Sequence, residues 1–282
     1  MQLTNPNAEI FVPDGELVEK AIARTTHMAI GCHQDDIEIM AYDGILKCFG
    51  SPTNWFMGVV VTNGAGSPRD DLYANYTDED MQKVRRTEQK KAAVVGEYAA
   101  VALLDYSSSA VKDPSNKNVV EDIKKLLLAS RPEILYTHNL ADKHDTHVSV
   151  ALRTIQALRE LPDDAKPKAV YGCEVWRDLD WMIDEDKVAF DLAGHENLAA
   201  ALLGVFDSQI CGGKRYDLAT IGRRRANATY FESHGTDITT QMSFAMDLTP
   251  LIKDPSLDVK EYVAGYISRF ADEVSNRLAK FS

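Results

Sequence analysis

Residues 28–38 read Met-Ala-Ile-Gly-Cys-His-Gln-Asp-Asp-Ile-Glu, and the reading of this stretch decides the fold. An apolar approach, Met28-Ala29-Ile30, runs straight into one imidazole and three carboxylates: His33, Asp35, Asp36 and Glu38. The pattern predicts a buried strand over about 28–32 that ends in a polar loop. In an α/β sheet, the loop beyond the carboxyl end of a parallel strand is where ligands bind. Neighbouring carboxylates repel one another, so a cluster of oxygen and nitrogen donors this dense calls for a cation.

The flanking sequence alternates between the two periodicities. A helix is expected through Ile39, Met40, Ile45 and Leu46, its first turn carboxylate-rich as the helix dipole favours. Phe56–Thr62 is a second buried strand, running into the turn Asn63-Gly64-Ala65-Gly66-Ser67-Pro68. That turn lacks the spacing of a phosphate-binding P-loop. Thr77-Asp78-Glu79-Asp80 opens a long helix that carries Arg85, Arg86 and Glu88, and a strand follows at 100–104. A helix over 119–130 stops at Arg131-Pro132, a strand covers 133–137 and a helix 148–160. This alternation predicts an α/β protein with a mainly parallel sheet covered by helices on both faces. A helix is also expected over 16–25. The later chain is more mixed, with strands at 169–176 and 188–192 and helices at 196–206 and 259–280. No repeat or linker interrupts it, so a single domain over 1–282 is the expectation.

Composition narrows the function. The chain has 282 residues, 45% apolar and 26% charged, which suits a soluble globular protein. Its net charge of −12 comes without a basic stripe, so nucleic acid is not an expected partner. An anionic substrate would need local Arg or Lys. No apolar run approaches the ~20 residues of a membrane span. Met1–Pro6 lacks the basic and apolar regions of a signal peptide. Cys32, Cys48, Cys173 and Cys211 form no CxxC pair and read as reduced thiols, so a cytoplasmic location is expected. Cys32 adjoins His33, but neighbours on a strand point to opposite faces, and packing is its expected role.

A second polar cluster lies at the next strand end: His138-Asn-Leu-Ala-Asp-Lys-His-Asp-Thr-His147. His144 and His147 are three apart at a helix start, so they can share a face. Two His and one carboxylate around zinc, with a position open to water, is the usual arrangement of a hydrolytic metal. An unligated carboxylate then takes the proton of water, and a further His supplies one to a leaving amine.

His33-Gln34-Asp35-Asp36-Ile37-Glu38, followed by Asp43-Gly44-Ile45, resembles the HPDDxE…GG signature of the LmbE-like (PIG-L) de-N-acetylases. His144-Asp145-Thr146-His147 is similar to the family's HPDH motif. Val59–Gly64, Arg85–Glu88, Arg131-Pro132-Glu133 and Asp207-Ser208-Gln209 resemble further family elements. The resemblance covers about 28–210. It implies a Rossmann-like sheet with a core over about 25–210 and C-terminal additions over 211–282. It also implies zinc, or another divalent ion that these ligand types accept, held by His33, Asp36 and His147. Asp35 is then the general base, His144 the general acid or oxyanion partner, and Arg85 a substrate-side arginine. The implied activity is hydrolysis of the acetamide of an N-acetylated sugar or sugar conjugate by a homo-oligomeric enzyme. Hydrolysis of another amide, and a non-catalytic sugar- or metal-binding module, are the competing expectations. The retained Asp35 speaks against the module.

Three positions depart from the family pattern. Gln34 replaces a proline, Asp207 a histidine, and Thr146 the aspartate that orients the catalytic histidine. Elsewhere, His138 and Asn139 read as either pocket or loop residues, and His195 and His234 as structural or surface groups. Trp176 and Trp181 suit a core or loop role better than a sugar rim. Arg223-Arg224-Arg225 reads as a solvated helix face or a subunit contact.

Overall fold

The computed structural model describes residues 1–282. In chain order it runs β1 (Glu9–Phe11), α1 (Val18–Ala23), β2 (His27–Gly31), α2 (Asp36–Met40), α3 (Tyr42–Cys48), β3 (Phe56–Thr62), α4 (Asp78–Val95) and β4 (Ala100–Tyr106). It continues with α5 (Ser108–Lys112), α6 (Asn118–Ser130), β5 (Ile134–His138), α7 (Asp145–Arg159), β6 (Ala169–Cys173) and β7 (Val188–Asp191). The last elements are α8 (Glu196–Gly204), α9 (Asp207–Ile210), α10 (Tyr216–Tyr230), β8 (Met242–Asp247), α11 (Thr249–Lys253) and α12 (Val259–Phe281).

The eight strands form one sheet in the order β1-β4-β3-β2-β5-β6-β8-β7. Strands β4 to β6 in that order are mutually parallel, while β1 and β8 run antiparallel to their neighbours. The α/β architecture and mainly parallel sheet are therefore as expected. The middle strands are apolar throughout because both faces are covered. All seven residues of β3 are buried. One apolar layer packs against α1, α6, α7 and α11, and the other against α2, α3, α4 and α8.

The strand order reverses direction between β2 and β5, where successive connections leave to opposite sides. A crevice opens at such a switch point. The loops that leave β2 and β5 are the two polar clusters, so the topology brings them together.

Several local expectations change. The helix after the first cluster is broken at Ala41 into α2 and α3. Helix α7 starts at Asp145 rather than 148, which makes His144 its N-cap residue. Helices α5 and α10 and strands β1 and β8 were not expected. β8 sits between β6 and β7, so chain beyond residue 211 completes the sheet. The arginine run lies on α10, but Arg224 is only 2% exposed. Its guanidinium donates to the Glu38 and Ile39 carbonyls and stacks over Tyr42, tying α10 to the end of α2. No helix is long and apolar enough to cross a membrane.

Candidate active site

Strand β2 delivers His33 into a tight loop, and Asp36 opens helix α2. Asp36 turns its carboxylate back to accept the His33 backbone N–H at 2.7 Å. From the other side of the crevice, α7 presents His147. Three donor atoms converge: His33 Nδ1 lies 3.1 Å from His147 Nε2, and Asp36 Oδ2 lies 3.3 and 3.4 Å from those two nitrogens. Ligands held about 2.0–2.1 Å from a tetrahedral zinc ion stand roughly 3.3 Å from one another. The donor set and its spacing therefore fit such an ion. Cys32 Sγ is near the cluster, 3.6 Å from His33 Nε2, the ring nitrogen turned away from His147.

The ligands are braced from behind. His147 Nδ1 faces Asp142 Oδ2 at 3.3 Å, which favours the tautomer with its bare lone pair on Nε2. Asp142 also accepts the backbone N–H groups of His144 and Val175. Burial opposes its charge, but the His147 imidazole outweighs burial and brings Asp142 down to about 2. Burial would equally lower His147, yet Asp36 and Asp142 raise it. His138 is fully buried and stacks on His147 at 4.0 Å, with Nε2 accepting the Cys32 N–H. Asp142 and His138 complete the site. The sequence leaves His138 open between pocket and loop and gives Asp142 no expected role. The available signal is position alone: His138 ends β5, and Asp142 lies between it and the histidine pair.

Asp35 occupies a backbone that L-residues seldom adopt, φ 93°. Such strain persists only where the surroundings over-determine it. Here Gln89 accepts the Asp35 N–H at 3.3 Å, and Arg85 donates to the Asp35 carboxylate at 3.0 Å and to the Gln34 carbonyl. Arg85 is 1% exposed and pairs on its far side with Glu88 at 3.1 Å. Glu88 in turn accepts the Ser208 N–H and hydroxyl, both at 2.7 Å. Gly64 lets this assembly close. Its φ is +75°, and a Cβ there would stand 2.6 Å from Gln34 Oε1 and 3.0 Å from Arg85. Burial raises Asp35 most, Arg85 opposes and Asp36 assists, and the carboxyl rises to about 6.

His144 lies at the mouth, half-buried, its ring 4.5 Å from that of His147 and 5.1 Å from that of His33. Its Nδ1 is buried without a partner. Burial first, and then the His147 and His33 rings, hold it below the ordinary histidine value. Thr146 is buried beside it and makes no hydrogen bond to it. Asp207 faces Tyr73, whose hydroxyl donates to it at 2.8 Å, and is not among the pocket-lining residues.

His33, Asp35, Asp36, Arg85, His144 and His147 line a cavity of about 360 Å³ together with Ser67, Lys112, Trp176, Gln209, Lys214 and Tyr216. Trp176, in a loop and packed on an apolar layer as expected, is also a wall of the cavity. Trp181 is not: its indole donates to Glu174. A pocket holding three converging donors, a separate carboxylate near neutrality and an imidazole can bind a metal, activate water and protonate a leaving group.

Residues 28–158 match the family model described as PIG-L: GlcNAc-PI de-N-acetylase. This segment is similar to a PIG-L domain. It contains both site loops and every residue assigned above to metal, base and acid. No curated protein matches the chain. Among solved structures, the chain resembles N,N'-diacetylchitobiose deacetylase from Pyrococcus horikoshii, with 13% identity, TM-score 0.61, and 84% of this chain and 88% of that one covered. The conserved protein TT1542 from Thermus thermophilus is similar at 14% identity and TM-score 0.59, covering 83% and 100%. So is the 4-carboxy-2-hydroxymuconate hydratase of Pseudomonas putida, at 15% identity and TM-score 0.58, covering 80% and 97%. At these identities the likeness is one of fold.

Proposed function

We propose that this chain is a zinc-dependent de-N-acetylase acting on the acetamide of an N-acetylated sugar or sugar conjugate. The observation that carries the reading is the triangle of His33, Asp36 and His147 donors at 3.1–3.4 Å, with Asp35 beside it on the same cavity wall. The PIG-L match supports the acetamide as the bond, and a deacetylase among the structural neighbours agrees with it.

His33, Asp36 and His147 would hold the ion. Zinc bound there supplies Lewis acidity toward an amide carbonyl and its water. Asp35, held beside the donor triangle by Arg85 and not itself one of the three donors, takes the proton of the attacking water. His144, at the mouth, delivers a proton to the departing amine. Arg85 is reassigned in this reading. Its guanidinium is committed to Asp35, Glu88 and the Gln34 carbonyl, so it fixes the base rather than gripping substrate.

A second reading, hydration or another hydrolysis in the same pocket, rests on the hydratase among the structural neighbours. Metal analysis of the purified protein, followed by an acetate-release screen over N-acetylglucosamine conjugates, tests the proposal. One bound ion per chain with acetate released sustains it. A loaded site that releases acetate from none of them overturns the deacetylase reading and leaves the metal assignment standing.

A further inference from the structure

Helix α12 is the longest helix of the chain and has no buried residue. It lies outside the segment matched by the family model and contributes nothing to the catalytic cavity. Val263, Ile267, Phe270, Val274, Leu278 and Phe281 follow one another at intervals of three and four residues. That spacing lays them along one stripe of the helix. The stripe begins on the body of the protein, where Val263 packs with Tyr262 and Tyr266 against the apolar layer that contains α6 and α7. It then runs out past the body. The Arg269–Asp186 ion pair is the last polar tie, and the side chains beyond it bond only within the helix. From Ala271 to Phe281 every residue but Glu273 is exposed. A free helical stretch of roughly three turns is marginal in water, so a striped one that leaves the body needs a surface to cover it.

The matching surface is on the same molecule. A groove of about 690 Å³ lies beside the packed half of α12. Its walls are Leu140, Val148 and Leu152 on the α7 side and Val259, Val263 and Ile267 on α12. The stripe reads almost alike from both ends. Laid antiparallel on a second copy, Phe281 faces Val263, Leu278 faces Ile267, and Val274 faces Phe270. One two-fold axis then seats each projecting end in the other copy's groove, which makes the contact isologous.

Size and charge agree with a second copy as the occupant. Leu152, Ile267, Val274, Leu278 and Phe281 are each 39–78% exposed. They leave an apolar patch on the order of 500 Å², as large as the largest patch of a typical monomer. Two such patches in contact remove on the order of 1,000 Å² in total, where a specific interface begins. An anionic membrane surface selects helices with a basic excess. On α12, Lys260, Arg269, Arg277 and Lys280 are interspersed with Glu261, Asp272 and Glu273, on a chain of net charge −12.

We propose that α12 is a self-association surface. Two copies pair antiparallel along Val263–Phe281, and the projecting end of each fills the groove between α7 and α12 of the other.

Sedimentation equilibrium of the full chain tests it. At about 100 μM the wild type is expected at twice the 31.3 kDa of one chain. Val274→Glu combined with Leu278→Glu halves that mass. Its denaturant midpoint stays at the value of a wild-type sample diluted to monomer, because neither side chain touches the body. A wild type that is monomeric at this concentration overturns the proposal, whether or not it sediments with anionic phosphatidylglycerol vesicles. So does a dimer that survives the double Glu variant. Cross-linking with a short bis-maleimide checks the register, in a Cys211→Ser background that removes the one cysteine not buried. Val263→Cys with Phe281→Cys is expected to give a covalent dimer. The two positions are roughly 27 Å apart along one helix, so the link must join two copies. Phe281→Cys alone is expected to give none. A covalent dimer from Phe281→Cys alone would mean parallel pairing and overturns the antiparallel exchange.

Discussion

The two loops that form the site are built to different standards. The β2 loop is enclosed: Gln34, Asp35 and Asp36 are each 5% exposed or less. Its strained backbone is held by Arg85 and Gln89, and Arg85 is held in turn through Glu88 and Ser208. The β5 loop is braced at one end only. His147 has Asp142 3.3 Å behind it and His138 stacked on it, whereas His144 has no carboxylate at its back. Ligands and base must be fixed to sub-ångström tolerance, while a proton donor to a departing amine works from a looser position. In the proposed reading, the contrast places metal and base in the braced part of the site and the acid in the less braced part.

The widest separation between the loops comes from Asp35→Asn. Loss of the base should cost about 10²- to 10⁴-fold in kcat, with bound metal unchanged because Asp35 is not in the donor triangle. Loss of metal in that variant would show that base and ligand have been exchanged. Arg85→Met attacks the same loop from behind. It strands Asp35 and Glu88 as buried carboxylates, and breaking a buried pair from one side costs about 3–5 kcal/mol. Denaturant unfolding at neutral pH should show that loss. A cost under about 1 kcal/mol would mean that the β2 loop is not braced through Arg85.

Much of this contrast is legible in the sequence, and the missing part has a physical cause. Met28–Glu38 shows strand, loop and donors together, because apolar run and charge cluster are adjacent in the chain. The central strands are legible for the same reason: Phe56–Thr62 is apolar without interruption. The supports are not, because they are contacts across long separations. Arg85 reaches Asp35 over 50 residues and Ser208 reaches Glu88 over 120. A sequence shows Arg85 as a charged residue on a helix and leaves open which way it faces. The same applies to Arg224, which reads as solvated in a run of three and is buried against α2. β1 and β8 escape the pattern because they are antiparallel additions to a parallel sheet. Asp142 lies within the second polar cluster, but its support of His147 comes from the loop before α7, where helical spacing gives no guide to which side chains meet.

Asp142→Asn probes the better-braced end of the β5 loop. The His144 and Val175 N–H groups bond to different Asp142 oxygens, so the amide keeps one of them, and it no longer draws a proton onto His147 Nδ1. Metal affinity should fall about 10- to 100-fold, the usual cost of losing a carboxylate behind a ligating histidine. Competition with a chelator measures it. His144→Gln, at the unbraced end, should leave metal affinity as it is and lower turnover only. A fall in affinity with His144→Gln would erase the distinction between the two ends.

The smallest expected effect lies one step further out, at Glu174, which follows β6 next to the Val175 N–H that braces Asp142. Burial dominates its surroundings and pushes the carboxyl up to about 7, against hydrogen bonds donated by Leu179 N–H and the Trp181 indole. In the unfolded chain the group ionises near 4.5. Between those values the folded protein binds a proton that the unfolded chain has released, so its stability contribution is full below about 4.5 and falls as pH rises through 7. Glu174→Gln cannot ionise and lacks this slope. The stability difference between variant and wild type should therefore move in the variant's favour by at most about 2.5 kcal/mol from pH 5 to pH 8. Denaturant unfolding across that range checks it. A flat difference would mean that Glu174 is solvated, and that the brace behind Asp142 is as open to water as His144 at the mouth.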